Sequence, residues 1–537
     1  MSLYFVSRFM MSLFFSRLGT WGLIAYLSGF VPILAEDGVN PAQWLSSLET
    51  FTGAFYKKFP EVELDGILSY IMRRLKGGQV LELGVLQTLL KMAGGYGFED
   101  PDSVASLSQI QLDGRCGSQL LKRETADFGI VEKVNKKSSK RLRSVLQDNG
   151  RGAVFLILLS QIRSSILYGA SKGKTKQIKL IGNLYDNCQK TLCLMLSFLT
   201  DYTEEQEHEA KCDGKDSLIS NYGVSLPSLG DLHDIYGVET AVAWMLYRPL
   251  IRNSLFAEEG SEKTAYRETP QTMKDRYSSM LPEESWIYIS PLLFEKFYLY
   301  ALYDMHCPEE RYKIEIARLK KEVDRLAQLQ KGGSAAKGTM ASLAAAAAAA
   351  GATEREIREA TAFTKSHEQE LERTRRNSVV LSSDLVKQSR HCDIIRNDVQ
   401  SHKDSLFFKS PRDDSTCATA KMFLTHCVYP RCLLSPEDAM YCAKFVFLLH
   451  QIETPRFYTL QYFDVFVNAI VGCLYCVTED EAGCLGILLE ETWKIINQWR
   501  YDENFYEKDV TGKVSSQISQ FISDFQCSNF QERQNNV

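Results

Sequence analysis

Three stretches of the 537-residue chain carry residue types that could do chemistry, and each falls short of a site. Gly169-Ala170-Ser171-Lys172-Gly173-Lys174-Thr175 has the glycines, lysine and threonine of a phosphate-cradling loop. That loop requires four residues between its first glycine and the Gly-Lys pair, and it must follow a strand. Here three residues intervene, and residues 154–168 before it read as a helix. A solvated basic loop is the reading, with the lysines of residues 172–179 still able to touch RNA phosphates. Cys473-Leu474-Tyr475-Cys476, with Cys484 beyond, has the spacing of half a zinc site. A structural zinc needs four ligands. His426, Cys427 and Cys432 would have to supply the others, and nothing in the sequence joins them. Free cysteine on an apolar helix is ordinarily a small buried hydrophobe, and no βαβ setting surrounds the pair to make it a redox motif. The eight histidines are scattered, and no nucleophile–base constellation or carboxylate pair assembles. The expectation is no catalytic residue, no metal and no cofactor.

Charge offers a second kind of chemistry. Lys133, Lys136, Lys137, Lys140, Arg141 and Arg143 form the densest basic cluster. It reads as a nuclear-import signal or a phosphate contact, set against the plainer alternative of a solvated helix face. Aromatic residues that would stack bases are not interleaved, so sequence-specific RNA recognition is not expected there. Tyr247-Arg248-Pro249-Leu250 and Tyr429-Pro430-Arg431 read as helix breaks with an arginine alongside. Arg248, Tyr429 and Arg431 are therefore candidate partner contacts, although a proline-directed turn with a paired arginine explains them equally well. Globally the chain has a formal charge of −5, so any nucleic-acid contact must be local. Fourteen cysteines over this length are far from disulfide-scaffold density and read as reduced thiols.

The elements that position these residues are helices. Leu64, Ile67, Leu68, Ile71, Met72 and Leu75 recur at three- and four-residue spacing, one apolar face, and Gly77-Gly78 ends the run. Residues 80–92, 154–168, 178–202, 238–247 and 292–304 follow the same design, while residues 99–123 read as loop. Strand alternation is never sustained and no repeat period is visible. The fold class is all-α, an irregular α-solenoid of antiparallel helices. From it protrudes an arm: Tyr312, Ile316, Leu319, Val323 and Leu326 alternate steps of four and three, the seam of a coiled coil. The chain then passes through an alanine-rich insertion at 331–353, and residues 354–400 are able to return antiparallel. Helical sequence resumes at 418–500, with Ser435 placed to cap a helix that starts at Pro436, and Glu437 and Asp438 in its first turn.

The boundaries read from this pass are an apolar segment at 1–40, solenoid at 41–309, the arm at 310–415, solenoid at 416–510 and a polar tail at 511–537. Residues 1–35 are apolar with Arg8 and Arg17. They are short of a membrane span and closer to a signal-peptide core. A buried helix pair and an incorrectly assigned gene start are the alternatives, and the reading goes against a working targeting signal.

Residues 421–456, KMFLTHCVYPRCLLSPEDAMYCAKFVFLLHQIETPR, carry a more specific signal. With Trp44-Leu45-Ser46-Ser47-Leu48, Lys91-Met92-Ala93-Gly94-Gly95, Asn135-Lys136-Lys137-Ser138, Leu184-Tyr185-Asp186-Asn187-Cys188 and Glu309-Glu310-Arg311-Tyr312, they follow one order. In wording and order they resemble the THO complex subunit 2 family. Its members are large scaffold subunits in the TREX machinery that couples transcription to mRNA export. The resemblance covers residues 42–500 in patches. It implies a non-enzymatic nuclear scaffold that binds other THO subunits and engages a DEAD-box RNA helicase. Contact with mRNA would be indirect or through basic patches, and no stable membrane association is implied. It also implies a helical arm near residue 310, from which the alanine tract departs. The rival readings are a direct RNA-binding helical protein, a generic scaffold of another complex, and a secretory-pathway protein resting on residues 1–35 alone.

Overall fold

The computed structural model describes residues 64–78, 83–92, 108–125, 136–147, 150–171, 178–200, 226–256, 270–333, 354–408 and 417–510. The apolar N-terminal segment, Lys133, the Lys172–Thr175 stretch, the alanine tract from 334 and the tail from 511 lie outside these residues. Among the described residues every regular element is a helix, and the one β-bridge pairs Ile289 with Phe407. The all-α expectation holds. The chain forms two compact units: Met1–Ser106 with Ile130–Tyr300 and His402–Val537, and Leu107–Gly129 with Ala301–Ser401.

In the first unit, helix Leu64–Lys76 buries Leu64, Ile67, Leu68, Ile71 and Leu75, the stripe that the sequence spacing predicts. It closes on Gly78, whose φ of 75° few other residues tolerate. Helices Arg151–Ser171 and Ile178–Thr200 pack together, and the Cys188 thiol donates to the Leu159 carbonyl at 3.3 Å. Gln87 on helix Leu83–Met92 donates to Thr191 Oγ1 at 2.8 Å, a buried bond that fixes this third helix against the pair. Further along, helices Thr240–Phe256, Pro291–Leu299, Ala418–Phe423 and Pro436–Gln451 converge on an aromatic core. Trp244 lies 5.9 Å from Phe294 and 5.8 Å from Tyr298, while Phe297 meets Phe423, Tyr441 and Phe445 edge-on at 5.1–5.7 Å. Such edge and offset contacts are the geometry that ring quadrupoles favour.

Three local expectations change. Pro249 does not break its helix but lies inside Thr240–Phe256, because its neighbours Trp244, Leu246 and Arg248 are held by burial. Tyr429-Pro430 likewise sits in continuing helical backbone. A π-turn at Leu424–Val428 widens the helix ahead of it, and the Tyr429 N–H reaches back five residues to the Leu424 carbonyl. Proline cannot donate to the His426 carbonyl, and the Tyr298 hydroxyl approaches that oxygen at 3.4 Å instead. The expected helix over 292–304 is two helices, Pro291–Leu299 and Leu302–Met305, parted at Tyr300-Ala301.

The second unit pairs helices Glu309–Gly333 and Glu354–Ser401. Tyr312 bonds to Gln388 and Leu319 shares a buried cluster with Leu381, so the two run antiparallel. Of the predicted seam, Tyr312, Leu319 and Leu326 are buried and Ile316 and Val323 are half-buried. Where residues 99–123 are expected as loop, the chain forms two short helices, Gln109–Arg115 and Gln119–Thr125. A capping box opens the first: the Gln111 N–H donates to Ser108 Oγ at 3.3 Å, and the Ser108 N–H donates to Gln111 Oε1 at 3.0 Å. Polar composition hid these helices, whose few apolar anchors are Leu112, Cys116 and Leu121, with Leu120 beside them.

Candidate functional site

Among the described residues of the first unit, Arg431, Asp438 and Arg248 form a buried polar cluster. Helix Pro436–Gln451 begins as its sequence dictates: Ser435 is extended, its Oγ accepts from the Asp438 N–H at 3.1 Å, and Pro436 occupies the first turn. This start places the Asp438 carboxylate, 6% exposed, beside two guanidiniums. Arg431 Nε donates to Asp438 Oδ1 at 2.7 Å, and Arg248 Nη1 donates to the same oxygen at 3.1 Å. The Ser435 hydroxyl donates to Oδ2 at 3.2 Å. Arg431 also donates to the carbonyls of Phe297 and, at 2.7 Å, Tyr300, and Arg248 Nε donates to the Tyr298 carbonyl at 2.8 Å.

Those three carbonyls lie at the end of helix Pro291–Leu299, where the last C=O groups have no intrahelical donor and the helix dipole is negative. Two arginines from distant parts of the sequence thus cap one helix end and share one counter-charge. The Arg431 guanidinium completes the arrangement by lying 3.5 Å from the Tyr441 ring centroid. Burial pushes the Asp438 carboxyl upward, but the Arg248 and Arg431 charges outweigh it and hold the group below the usual carboxylate range.

This cluster ties helices together and presents nothing to a substrate. Arg431 has no exposed surface and Arg248 is 9% exposed. Both therefore take the paired-arginine alternative of the sequence reading, with their donors turned inward. Tyr429 is half-buried, 6.4 Å from Phe466. The cysteines singled out for metal spacing do not converge: Cys484 is buried, Cys473 half-buried and Cys476 exposed. Among the described residues no three His, Cys, Asp or Glu side chains are placed to hold a metal ion. Burial raises the Cys188 and Cys193 thiols to about 12, and those of Cys427 and Cys442 further. Thiols held protonated in this way are poor nucleophiles. No single described helix is long and apolar enough to cross a membrane.

The basic cluster falls on helix Lys136–Gln147, which carries Lys136, Lys137, Lys140, Arg141 and Arg143. Arg141 is half-buried, and the Arg143 guanidinium lies 4.4 Å from the Phe198 ring centroid, so part of this charge is engaged in packing.

Sequence reasoning missed a second polar cluster, in the unit that carries the long helix pair. Gln388, fully buried, donates from Nε2 to the carbonyls of Cys116, Tyr303 and His306 at 2.7, 3.2 and 3.0 Å. Its Oε1 accepts from the Tyr312 hydroxyl at 2.8 Å, and that hydroxyl accepts from the Ser118 N–H at 2.8 Å. His391 Nε2 meets Asp304 Oδ1 at 2.8 Å nearby. The sequence carried one faint signal, a glutamine on the inner face of an otherwise apolar seam. Like the arginine cluster, this one closes backbone groups rather than opening a pocket.

Residues 286–536 match the family described as "Transcription factor/nuclear export subunit protein 2", Tho2. Curated relatives named THO complex subunit 2 align with 89% of the chain. The Arabidopsis thaliana protein is 28% identical over 512 residues, the Homo sapiens protein 26% over 493, and the Saccharomyces cerevisiae protein 22% over 477. The chain spans about a quarter of their length, 25%, 27% and 25% respectively. With relatives from plants, mammals and yeast aligned over most of its length, the chain is similar to proteins named THO complex subunit 2, and residues 286–536 match the Tho2 family.

Proposed function

We propose that this chain is a non-enzymatic scaffold within the THO/TREX machinery, working in the nucleus to couple transcription to mRNA processing and export. In this reading it assembles other THO subunits on an α-solenoid and engages a DEAD-box RNA helicase, which supplies the ATP hydrolysis. The helices Glu309–Gly333 and Glu354–Ser401 act as a coiled-coil arm for subunit contacts. The observation that carries the reading is the use to which buried charge is put. Arg431, Asp438 and Arg248 are all spent on locking helices, as expected of a framework whose work is done by its outer faces. Similarity to proteins named THO complex subunit 2 points the same way, since those relatives are named as subunits of that complex.

The experiment is affinity purification of the tagged chain from nuclear extract, with and without nuclease, followed by mass spectrometry. Retention of THO subunits and the helicase after nuclease supports the scaffold reading, and their loss overturns it. Loss would favour the second reading, direct RNA binding through Lys133, Lys136, Lys137, Lys140, Arg141 and Arg143. Recovery of an unrelated assembly would instead make the chain a scaffold of another complex.

A further inference from the structure

The turn that joins helices Thr459–Leu474 and Glu479–Tyr501 carries a pair of thiols. Cys473 is the last residue but one of the first helix, and Cys476 lies in the connection that follows. The Cys476 N–H donates to the Cys473 carbonyl at 2.9 Å, and Tyr475 between them has φ −79° and ψ −11°. A turn closed in this way brings its first and fourth Cα atoms within about 7 Å. Side chains at i and i+3 of such a turn lie one over the other. A disulfide requires Cα atoms about 4.4–6.8 Å apart, so the backbone already holds the two cysteines in the range for bridging. The Cys-x-x-Cys spacing lacks the βαβ setting of a redox fold and the further ligands of a zinc site. A disulfide needs neither.

Access separates this pair from the other thiols. Among the described cysteines Cys476 alone is exposed, and Cys473 beside it is half-buried. The buried Tyr429 hydroxyl faces the Cys473 side chain, a donor for its thiolate. Elsewhere burial pushes the half-buried Cys307 and Cys392 thiols up to about 11 and about 12, and holds those of the buried Cys427 and Cys442 protonated.

We propose that Cys473 and Cys476 form a thiol–disulfide exchange site whose co-reactant is a small disulfide of the glutathione type. The exposed Cys476 gives up its proton to solvent and attacks one sulfur of glutathione disulfide. The glutathione S–S bond breaks, a Cys476–glutathione bond forms, and one glutathione leaves as thiolate and takes up a proton. Cys473 then attacks the Cys476 sulfur, breaks the mixed disulfide and releases the second glutathione. Two protein thiols are oxidised and one glutathione disulfide is reduced to two thiols, so protons and electrons balance. The closed ring encloses Leu474 and Tyr475, 50% and 88% exposed. Oxidation therefore fixes how this apolar pair stands at the tip of the hairpin.

The test treats the folded full chain with glutathione disulfide, traps free thiols with acid and N-ethylmaleimide at timed points, and maps peptides by mass spectrometry. The native chain should gain a Cys473–Cys476 disulfide ahead of every other cysteine, with only a transient glutathione adduct on Cys476. Reduced glutathione should reverse it. In Cys473→Ser the disulfide is lost and the adduct on Cys476 persists. The reason is that a thiol one turn away acts at an effective concentration far above that of the released glutathione. In Cys476→Ser neither product should form on Cys473. An adduct that persists as long in the native chain as in Cys473→Ser overturns the proposal, because Cys473 then fails to resolve it. So does an unreactive Cys476, or a disulfide that joins two chains on a non-reducing gel. Circular dichroism checks each variant, and where one loses helical content the native time course alone decides: adduct passing into internal disulfide supports the site, and adduct without it overturns the site.

Discussion

Removing the Asp438 carboxylate should be the most damaging single change in the described structure. In Asp438→Ala two buried guanidiniums lose their shared counter-charge, while their remaining donors still hold the carbonyls of Phe297, Tyr298 and Tyr300. Breaking a buried pair by deleting one partner costs about 3–5 kcal/mol, against a total stability of about 5–15 kcal/mol for an ordinary domain. For a unit of this size each kcal/mol corresponds to about 2–4 °C in Tm, so a fall on the order of 6–20 °C is expected. Urea denaturation followed by tryptophan fluorescence reads it directly, since Trp244 stacks on Tyr298 at the junction. Replacing Arg248, Asp438 and Arg431 together by apolar residues should recover only part of the loss. Apolar replacement of a buried ion cluster is often neutral, but here three helix-end carbonyls would be left without donors, at about 1–3 kcal/mol each. The pH dependence has a definite sign. The folded-state pKa of Asp438 is depressed, so its contribution is fully present above the unfolded value of about 3.9 and is lost as pH falls through the folded value. A loss below about 1 kcal/mol for Asp438→Ala, the scale of a surface pair, would refute the assignment of the cluster as a structural lock.

Other outcomes follow from the same geometry. Gln388→Ala leaves the carbonyls of Cys116, Tyr303 and His306 without their donor and should cost at least about 1–3 kcal/mol; hydrogen exchange at residues 109–125 should rise, and unchanged protection would refute the role. Asp186 has the opposite pH signature to Asp438. Burial, with Asp480 and Glu481 adding to it against the Thr478 hydrogen bond, raises its carboxyl to about 6. A raised folded pKa favours the folded state fully below the unfolded value, and that advantage is lost as pH rises through about 6. Asp186→Asn should therefore raise Tm at pH 7.5, with the gain shrinking between pH 6 and 4; a loss of Tm at pH 7.5 would show that the ionised carboxylate is needed. If the basic helix contacts RNA, reversing Lys136, Lys137 and Lys140 should lower the slope of log affinity against log salt by about 0.7 for each contact removed. An unchanged slope in a filter-binding titration would assign those charges to another role.

Much of this molecule is written locally. The helix at Leu64–Lys76 follows from apolar spacing and a terminal Gly-Gly, and the start of Pro436–Gln451 from a serine cap, a first-turn proline and two acids. The apolar side of helix Glu309–Gly333 follows from a seam that alternates steps of four and three. These features depend on residues within a turn or two of each other, so composition and spacing suffice. What was misread depended on distant partners. Pro249 and Pro430 break helices by local rules, and burial of the surrounding turns overrides those rules. Residues 109–125 lack the apolar density of a helix, and their helices persist because Leu112, Cys116 and Leu121 are buried and Tyr312 and Gln388 close their backbone.

The arginines show the division most plainly. The sequence by itself determined that Arg248 and Arg431 sit beside prolines, and that Ser435 and Asp438 open the helix after Arg431. Only the tertiary structure decided that both guanidiniums meet one carboxylate 190 and 7 residues away in sequence, and that the end of Pro291–Leu299 lies beneath them. A helix end needs donors wherever it is buried, but which donors arrive depends on how helices far apart in the chain pack, which no local pattern encodes.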